Sequence, residues 1–340
     1  MFNVLIVDDS SLVRSILRDF LEGSGKFKVV AEAENGKEGV EKAVALNPDL
    51  VTMDIDMPVM NGLDAIEEIR KNFATPIVVI STQDTARAAY EATVRGALEF
   101  YSKDVFTAAM TDEKRQRILE TLIHVSGIKG KLPALRGGRF SSYPEERSPA
   151  RARRPEAVVI GVSTGGPKAL CSIFGALQKD FPLPVILVQH NSSGFDRGFV
   201  QWLNDYTALE VWLAGEGDRP APGRVYIAPT DRHLLVGKDG AFAFNDGPPV
   251  NNQKPAADLL FKSAADYYGA ALISLVLTGM GCDGAEGTRA VKAAGGLTMA
   301  QDERSSMIYG MPRAAWETGC VDMVVPLDAI PRQLLFLAGR

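Results

Sequence analysis

One feature limits what this chain can fold into more than any other. Short apolar runs recur along it, each followed by a stretch whose apolar residues return at helical spacing. In the first third the runs are "FNVLIV", "KVVAEA", "LVTM", "PIVVIS" and "LEFYS". Between them Leu12, Ile16, Leu17, Phe20 and Leu21 mark one helical face, and Leu63, Ile66 and Ile69 another. Strands alternating with helices predict α/β architecture with parallel sheets. Five such units fill residues 1–125, a complete small domain. A second set opens with "AVVIG" and continues through "PVILVQ", "EVWLA", "RVYIA", "HLLVG", "AFAFN", "LISLVLTG" and "GLTMA". Helices are expected at 167–177, 196–205, 256–268 and 284–294. This half reads as a doubly wound, mostly parallel sheet with a β-hairpin insert turning at "KDG", 238–240.

The two sets are separated by a change in composition. Residues 131–155 hold four prolines, two glycines and seven Lys/Arg against two Glu, without periodicity. The expected organisation is a domain at 1–125, a solvated linker at 126–155 and a second domain at 156–340. At 340 residues, 46% hydrophobic and 23% charged, the chain can bury two cores. Its net charge of −5 argues against a general nucleic-acid coat. Cys171, Cys282 and Cys320 are too scattered for a disulfide framework or a zinc knuckle. There is no secretory signal and no run long enough to span a bilayer. A soluble cytoplasmic protein is expected, with no membrane insertion and no nucleic-acid partner.

Chemistry concentrates where strands end. Asp8 and Asp9 follow the first strand and Asp54 the third, while Ser81 ends the fourth and Lys103 follows the fifth. All strands of a parallel sheet end at one edge, where ligands bind. Carboxylates converging there repel one another unless a cation joins them, and Mg²⁺ suits a few carboxylates with phosphate oxygens. Acid cluster, hydroxyl and lysine together predict a phosphoryl group carried on an aspartate. Residues 1–125 accordingly resemble a two-component receiver domain. The resemblance implies a flavodoxin-like five-stranded parallel sheet, with Asp54 phosphorylated by a histidine kinase. It assigns Mg²⁺ to Asp8, Asp9, Asp54 and the main-chain carbonyl of Asp56, and phosphate contacts to Ser81 and Lys103. One departure is Asp104 after Lys103, where the family has proline.

In the second half, "GVSTGG" places Ser163 in a G-x-S-x-G turn between strand and helix, the pattern of a nucleophile elbow. It lacks the Gly-Lys-Ser/Thr of a Walker loop and the G-x-G-x-x-G of a dinucleotide site. A nucleophilic serine needs a base and an orienting acid. His190 ends "PVILVQH", at the sheet edge where Ser163 emerges, and Asp283 lies in the loop after "LISLVLTG". His124 reads as a surface residue and His233 as structural. Residues 157–340 resemble the catalytic domain of chemotaxis protein-glutamate methylesterases, the CheB family. The matching stretches are "GVSTGGP", "QHNSSGF", "YIAPTDRHL", "DGPPVN", "LTGMGCDGA" and "YGMPRAA". The resemblance implies a Ser163–His190–Asp283 triad, with Thr164 and Met280 near the oxyanion. It implies demethylation, with glutamine deamidation alongside it, on methyl-accepting chemoreceptors. A chemotaxis histidine kinase would be the phosphodonor, and the unphosphorylated receiver would cover the active-site face. Cys282 stands where the family has asparagine, and "HNSS" where it has His-Met-Pro. The alternative is a response regulator whose second half binds a ligand or partner without catalysis.

Overall fold

In a computed structural model, residues 1–82, 86–107, 110–129 and 153–339 are described. The chain divides into two compact units, Met1–Gly138 and Arg139–Arg340. Most of the expected linker, residues 130–152, lies outside the described residues.

The first unit alternates β1 (Phe2–Val7), α1 (Ser11–Glu22), β2 (Phe27–Ala33), α2 (Gly36–Leu46), β3 (Leu50–Met53), α3 (Gly62–Asn72), β4 (Ile77–Ser81), α4 (Ala86–Arg95), β5 (Glu99–Ser102) and α5 (Asp112–Gly127). The strands form one parallel sheet in the order β2-β1-β3-β4-β5. Every residue of β3 and β4 is buried, as expected for strands covered by helices on both faces. The strand order reverses beside β1, between β2 and β3, and in such sheets ligands bind outside the carboxyl ends at that point. Polar side chains start the helices that leave this edge: Ser10 accepts from the Val13 amide for α1, and Asn61 from the Asp64 amide for α3.

The second unit contains β6 (Ala157–Val162), α6 (Gly166–Phe174), β7 (Val185–Gln189), α7 (Asp196–Asn204), β8 (Glu210–Leu213), β9 (Arg224–Ile227), β10 (His233–Val236), β11 (Phe242–Asn245), α8 (Ala257–Tyr268), β12 (Leu272–Val276), α9 (Ala285–Ala293), β13 (Leu297–Gln301), α10 (Met311–Glu317), β14 (Met323–Val325) and α11 (Ile330–Leu337). Seven strands, all parallel, run in the order β14-β13-β12-β6-β7-β9-β8. The expected hairpin is β10–β11, an antiparallel pair forming a sheet of its own. The central strands β6, β7 and β12 are buried throughout. Helix α8 covers them with Ala257, Leu260, Phe261 and Ala264. Fully burying a Leu or Phe side chain is worth about 1.5–3 kcal/mol, against about 1 kcal/mol for a helix cap. Packing therefore decides that α8 lies on the sheet, and caps only refine how its end is held. Strand β14 and helices α10 and α11 were not among the elements expected from sequence.

Candidate active site

The order reversal of the second sheet falls beside β6, which has β12 on one side and β7 on the other. Ser163 follows β6 directly. Its amide donates to Thr278 O at 3.0 Å, and the His190 amide donates to Val162 O at 3.0 Å. The sheet ladder thus continues into the loops and places serine and histidine side by side. Gly165 takes φ +79° to begin α6, a conformation open to glycine at little cost. A side chain at Gly279 would meet the Ser163 Cβ at 2.7 Å and the Met311 Sδ at 2.4 Å, so only glycine lets this loop close on the serine.

His190 Nε2 lies 2.8 Å from Asp283 Oδ2. The histidine side chain is 6% exposed and the aspartate's 2%. Asp283 accepts three more bonds, from the amides of Ala257 (2.7 Å), Asp258 (3.0 Å) and Gly284 (3.0 Å). Burial alone would push its pKa up. The hydrogen bond and charge of His190, with the Asp258 and Ala257 amides, outweigh that and hold the carboxyl below the ordinary range. An ionised acid takes a donor, so the proton of the short contact sits on Nε2 and Nδ1 is the basic nitrogen. Nδ1 is buried and has no hydrogen-bond partner. The ring is turned the opposite way from the chymotrypsin arrangement, where Nδ1 faces the aspartate.

Two polar residues not picked out from sequence brace this edge. Gln189 Nε2 donates to the carbonyls of Ser163 (3.1 Å) and His190 (3.0 Å), tying the two loops together. Thr278 Oγ1 donates to Thr164 O at 3.0 Å and accepts from the Ile308 amide at 3.0 Å. Thr164 is buried and Met280 half-buried. His233 is fully buried, with Nδ1 accepting from the Ala256 amide and Nε2 donating to Pro248 O, and it is structural. His124 is exposed on α5.

In the first unit Asp8, Asp9 and Asp54 bring one carboxylate oxygen each within 4.8 Å of the others. Asp54 Oδ1 accepts from the Ile55 amide (2.8 Å) and Ser81 Oγ (3.2 Å), and Oδ2 from Lys103 Nζ (2.8 Å). Lys103 Nζ also lies 2.8 Å from Asp8 Oδ2. Asp8 sits above the ordinary carboxylate range, first because it is buried and further because of the Asp54 charge, which Lys103 only partly offsets. A divalent cation fits this group: among the described residues three acids face one ammonium, and two of the acids are buried. The group does not include the side chain of Asp56, which is exposed.

A family model described as CheB methylesterase matches residues 158–334, and one described as response regulator receiver domain matches residues 4–114. The chain belongs to the CheB methylesterase family. It is 43% identical, over 97% of its length and 95% of the relative's, to a protein-glutamate methylesterase/protein-glutamine glutaminase of Anaeromyxobacter dehalogenans. A protein of the same name from Geobacter metallireducens is 40% identical, over 99% of both chains. The crystal structure of the Thermotoga maritima CheB methylesterase catalytic domain aligns with TM-score 0.52 and 39% identity. It covers 54% of this chain and 100% of that domain.

The departures from the CheB pattern have local accounts. After Lys103 the chain makes one 3₁₀ turn, Lys103–Val105, and Ser102 caps it by accepting from the Asp104 amide. Lys103 reaches both acids without the family's proline. Cys282 is exposed, but burial of its thiol and the charges of Asp258 and Asp283 push its pKa up. That direction favours the thiol over the thiolate, which is the nucleophilic form of cysteine. In the "HNSS" stretch, Ser193 Oγ donates to Asp231 Oδ2 at 2.6 Å, and the Asn191 carboxamide is buried without a partner.

Proposed function

We propose that the chain hydrolyses glutamate γ-methyl esters on methyl-accepting chemoreceptors, and deamidates glutamines, in chemotactic adaptation. The observation that carries this reading is the buried His190–Asp283 pair at the sheet edge of Ser163, with Nδ1 left unpaired. Ser163 Oγ attacks the γ-carbonyl carbon and gives its proton to His190 Nδ1. The tetrahedral intermediate collapses, and the departing methoxide takes that proton and leaves as methanol. Water then attacks the glutamyl ester while Nδ1 accepts its proton, and collapse returns the proton to Ser163 Oγ. Asp283 holds the ring orientation and stabilises the transient imidazolium. Thr164 and Met280 flank the oxyanion, with the amino end of α6 aimed at it. An ammonia leaving group turns the same steps into deamidation.

Control is proposed to reside in the receiver unit, where a chemotaxis histidine kinase phosphorylates Asp54. Asp8, Asp9 and Asp54 would hold Mg²⁺, with the Asp56 carbonyl, and the ion supplies positive charge to phosphoryl oxygens. Ser81 and Lys103 contact the phosphoryl group. Among the described residues no helix is long and apolar enough to cross a membrane, and a cytoplasmic site of action fits these partners. The test is methanol release from methylated receptor, with and without a small phosphodonor. Ser163→Ala is expected to lose at least about 10⁴-fold in rate while keeping its fold. Undiminished release by that variant would end the esterase assignment in favour of a binding output.

A further inference from the structure

Asp258 stands in the first turn of α8, where an acid is ordinary. Its environment is not. The residue is 1% exposed, and its carboxylate bonds forward to a different helix. Oδ1 accepts from the amides of Gly284 (3.0 Å) and Gly287 (2.6 Å), at the start of α9. Oδ2 accepts from Asn251 Nδ2 at 2.7 Å. The N-cap of α9 is Gly284, which has no side chain to cap with. The N-cap of α8 is Ala256, which also lacks a capping group. Asp283 meets that second need, accepting from the Ala257 and Asp258 amides. Two neighbouring helices therefore exchange caps, each drawing its anionic acceptor from the other's start.

The exchange is joined at one atom. The Gly284 amide is shared at 3.0 Å between Asp258 Oδ1 and Asp283 Oδ1. Asp258 thereby fixes the residue that follows Asp283 in the chain. With Gly284 and Gly287 tied to α8, the Asp283 side chain is left one orientation, with Oδ2 toward His190 Nε2. Burial and the Asp283 charge both push the Asp258 carboxyl up. The protein keeps two acids close together in its interior, and the network above gives the second one a task.

We propose that Asp258 is a positioning residue for the hydrolytic reaction, acting on His190 through Asp283 by tying the start of α9 to the start of α8. This rests on Asp283 being the acid that orients His190. Helix α8 does not depend on the exchanged cap for its place, since Leu260 and Phe261 are fully buried against the core. Loss of Asp258 should misalign the acid rather than unfold the unit.

The experiment measures steady-state methanol release by the full chain on methylated receptor. Asp258→Ala is expected to lower kcat by about 10²-fold, with KM changed less than about twofold, because misplacement acts on the chemical step. Asp258→Asn keeps an oxygen for the two glycine amides and is expected to recover kcat to within about fivefold of wild type. In an Asp283→Asn background, Asp258→Ala is expected to cost less than about threefold more, since residues acting as one unit are not additive. A full hundredfold further loss there would mean a general structural role and overturn the proposal. So would an Asp258→Ala kcat within about threefold of wild type. Asp258→Ser, too short to span both amides, serves in the same cycle if the alanine variant does not fold by circular dichroism. No methanol release by wild type would instead remove the esterase assignment, and this inference with it.

Discussion

The two sheet edges are built alike and charged in opposite ways. Each lies at the carboxyl ends of parallel strands, beside the strand where the order reverses, and each gathers buried carboxylates. At the receiver edge the acids are under-compensated. Among the described residues Lys103 is the one ammonium reaching Asp8 and Asp54, Asp9 stands beside them, and Asp8 is pushed toward its neutral form. At the esterase edge Asp283 has four donors and is pulled toward its ionised form. The first site holds repulsion that a cation or a phosphoryl group can change. The second is arranged in advance, and under the proposed mechanism its charge would cost no reorganisation. The same architecture thus holds one under-compensated acid cluster and one fully bonded acid, and the donors around each acid make the difference.

The comparison breaks most sharply at Asp283. Replacing it with asparagine is expected to cost about 10⁴-fold in methanol release, because the amide favours the wrong imidazole tautomer. The loss should be the same with and without acetyl phosphate. A loss that the phosphodonor repairs would show that the esterase edge is not organised in advance. Asp54→Asn should do the reverse, keeping the basal rate and removing the response to acetyl phosphate, an effect of roughly 5–150-fold if coupling is of ordinary size. A lowered basal rate in that variant would mean that the receiver acid also serves the resting enzyme.

The smallest expected effect is on stability. Asp8 has a higher pKa folded than unfolded, so its charge opposes folding at neutral pH, and that opposition fades as pH falls through the folded value. Asp8→Asn is therefore expected to raise the unfolding temperature at pH 7 by a few degrees, roughly. The gain should shrink toward about pH 4, near the unfolded carboxylate value. Scanning calorimetry across that range checks it, and a gain constant with pH would show that packing, not charge, is responsible.

Much of this molecule was legible as sequence. The buried strands could be read because helices cover both faces of a parallel sheet, leaving runs such as "AVVIGV" apolar throughout. Residues just past those runs had to share an edge, which brought Ser163 next to His190, and Asp54 to Ser81 and Lys103. The elements passed over were short ones. Strand β14 has three residues, and α10 and α11 have seven and eight, too few to establish a period. Gln189 at a strand end and Asp258 in the first turn of a helix carry no motif that would single them out.

What the amino-acid order determined by itself was periodicity and chain position: which segments are strands, and which reactive side chains stand at their ends. What only the tertiary structure decided was the partners of those side chains. Asp283 receives its protons' bonds from His190 and from the start of α8, and Asp258 gives its oxygens to glycines 26 and 29 residues away. Local propensity acts over a few residues and is written in the order of the chain. Hydrogen bonds between loops form only after packing has brought distant segments together, and that packing sets which acid carries charge and which nitrogen is free to take a proton.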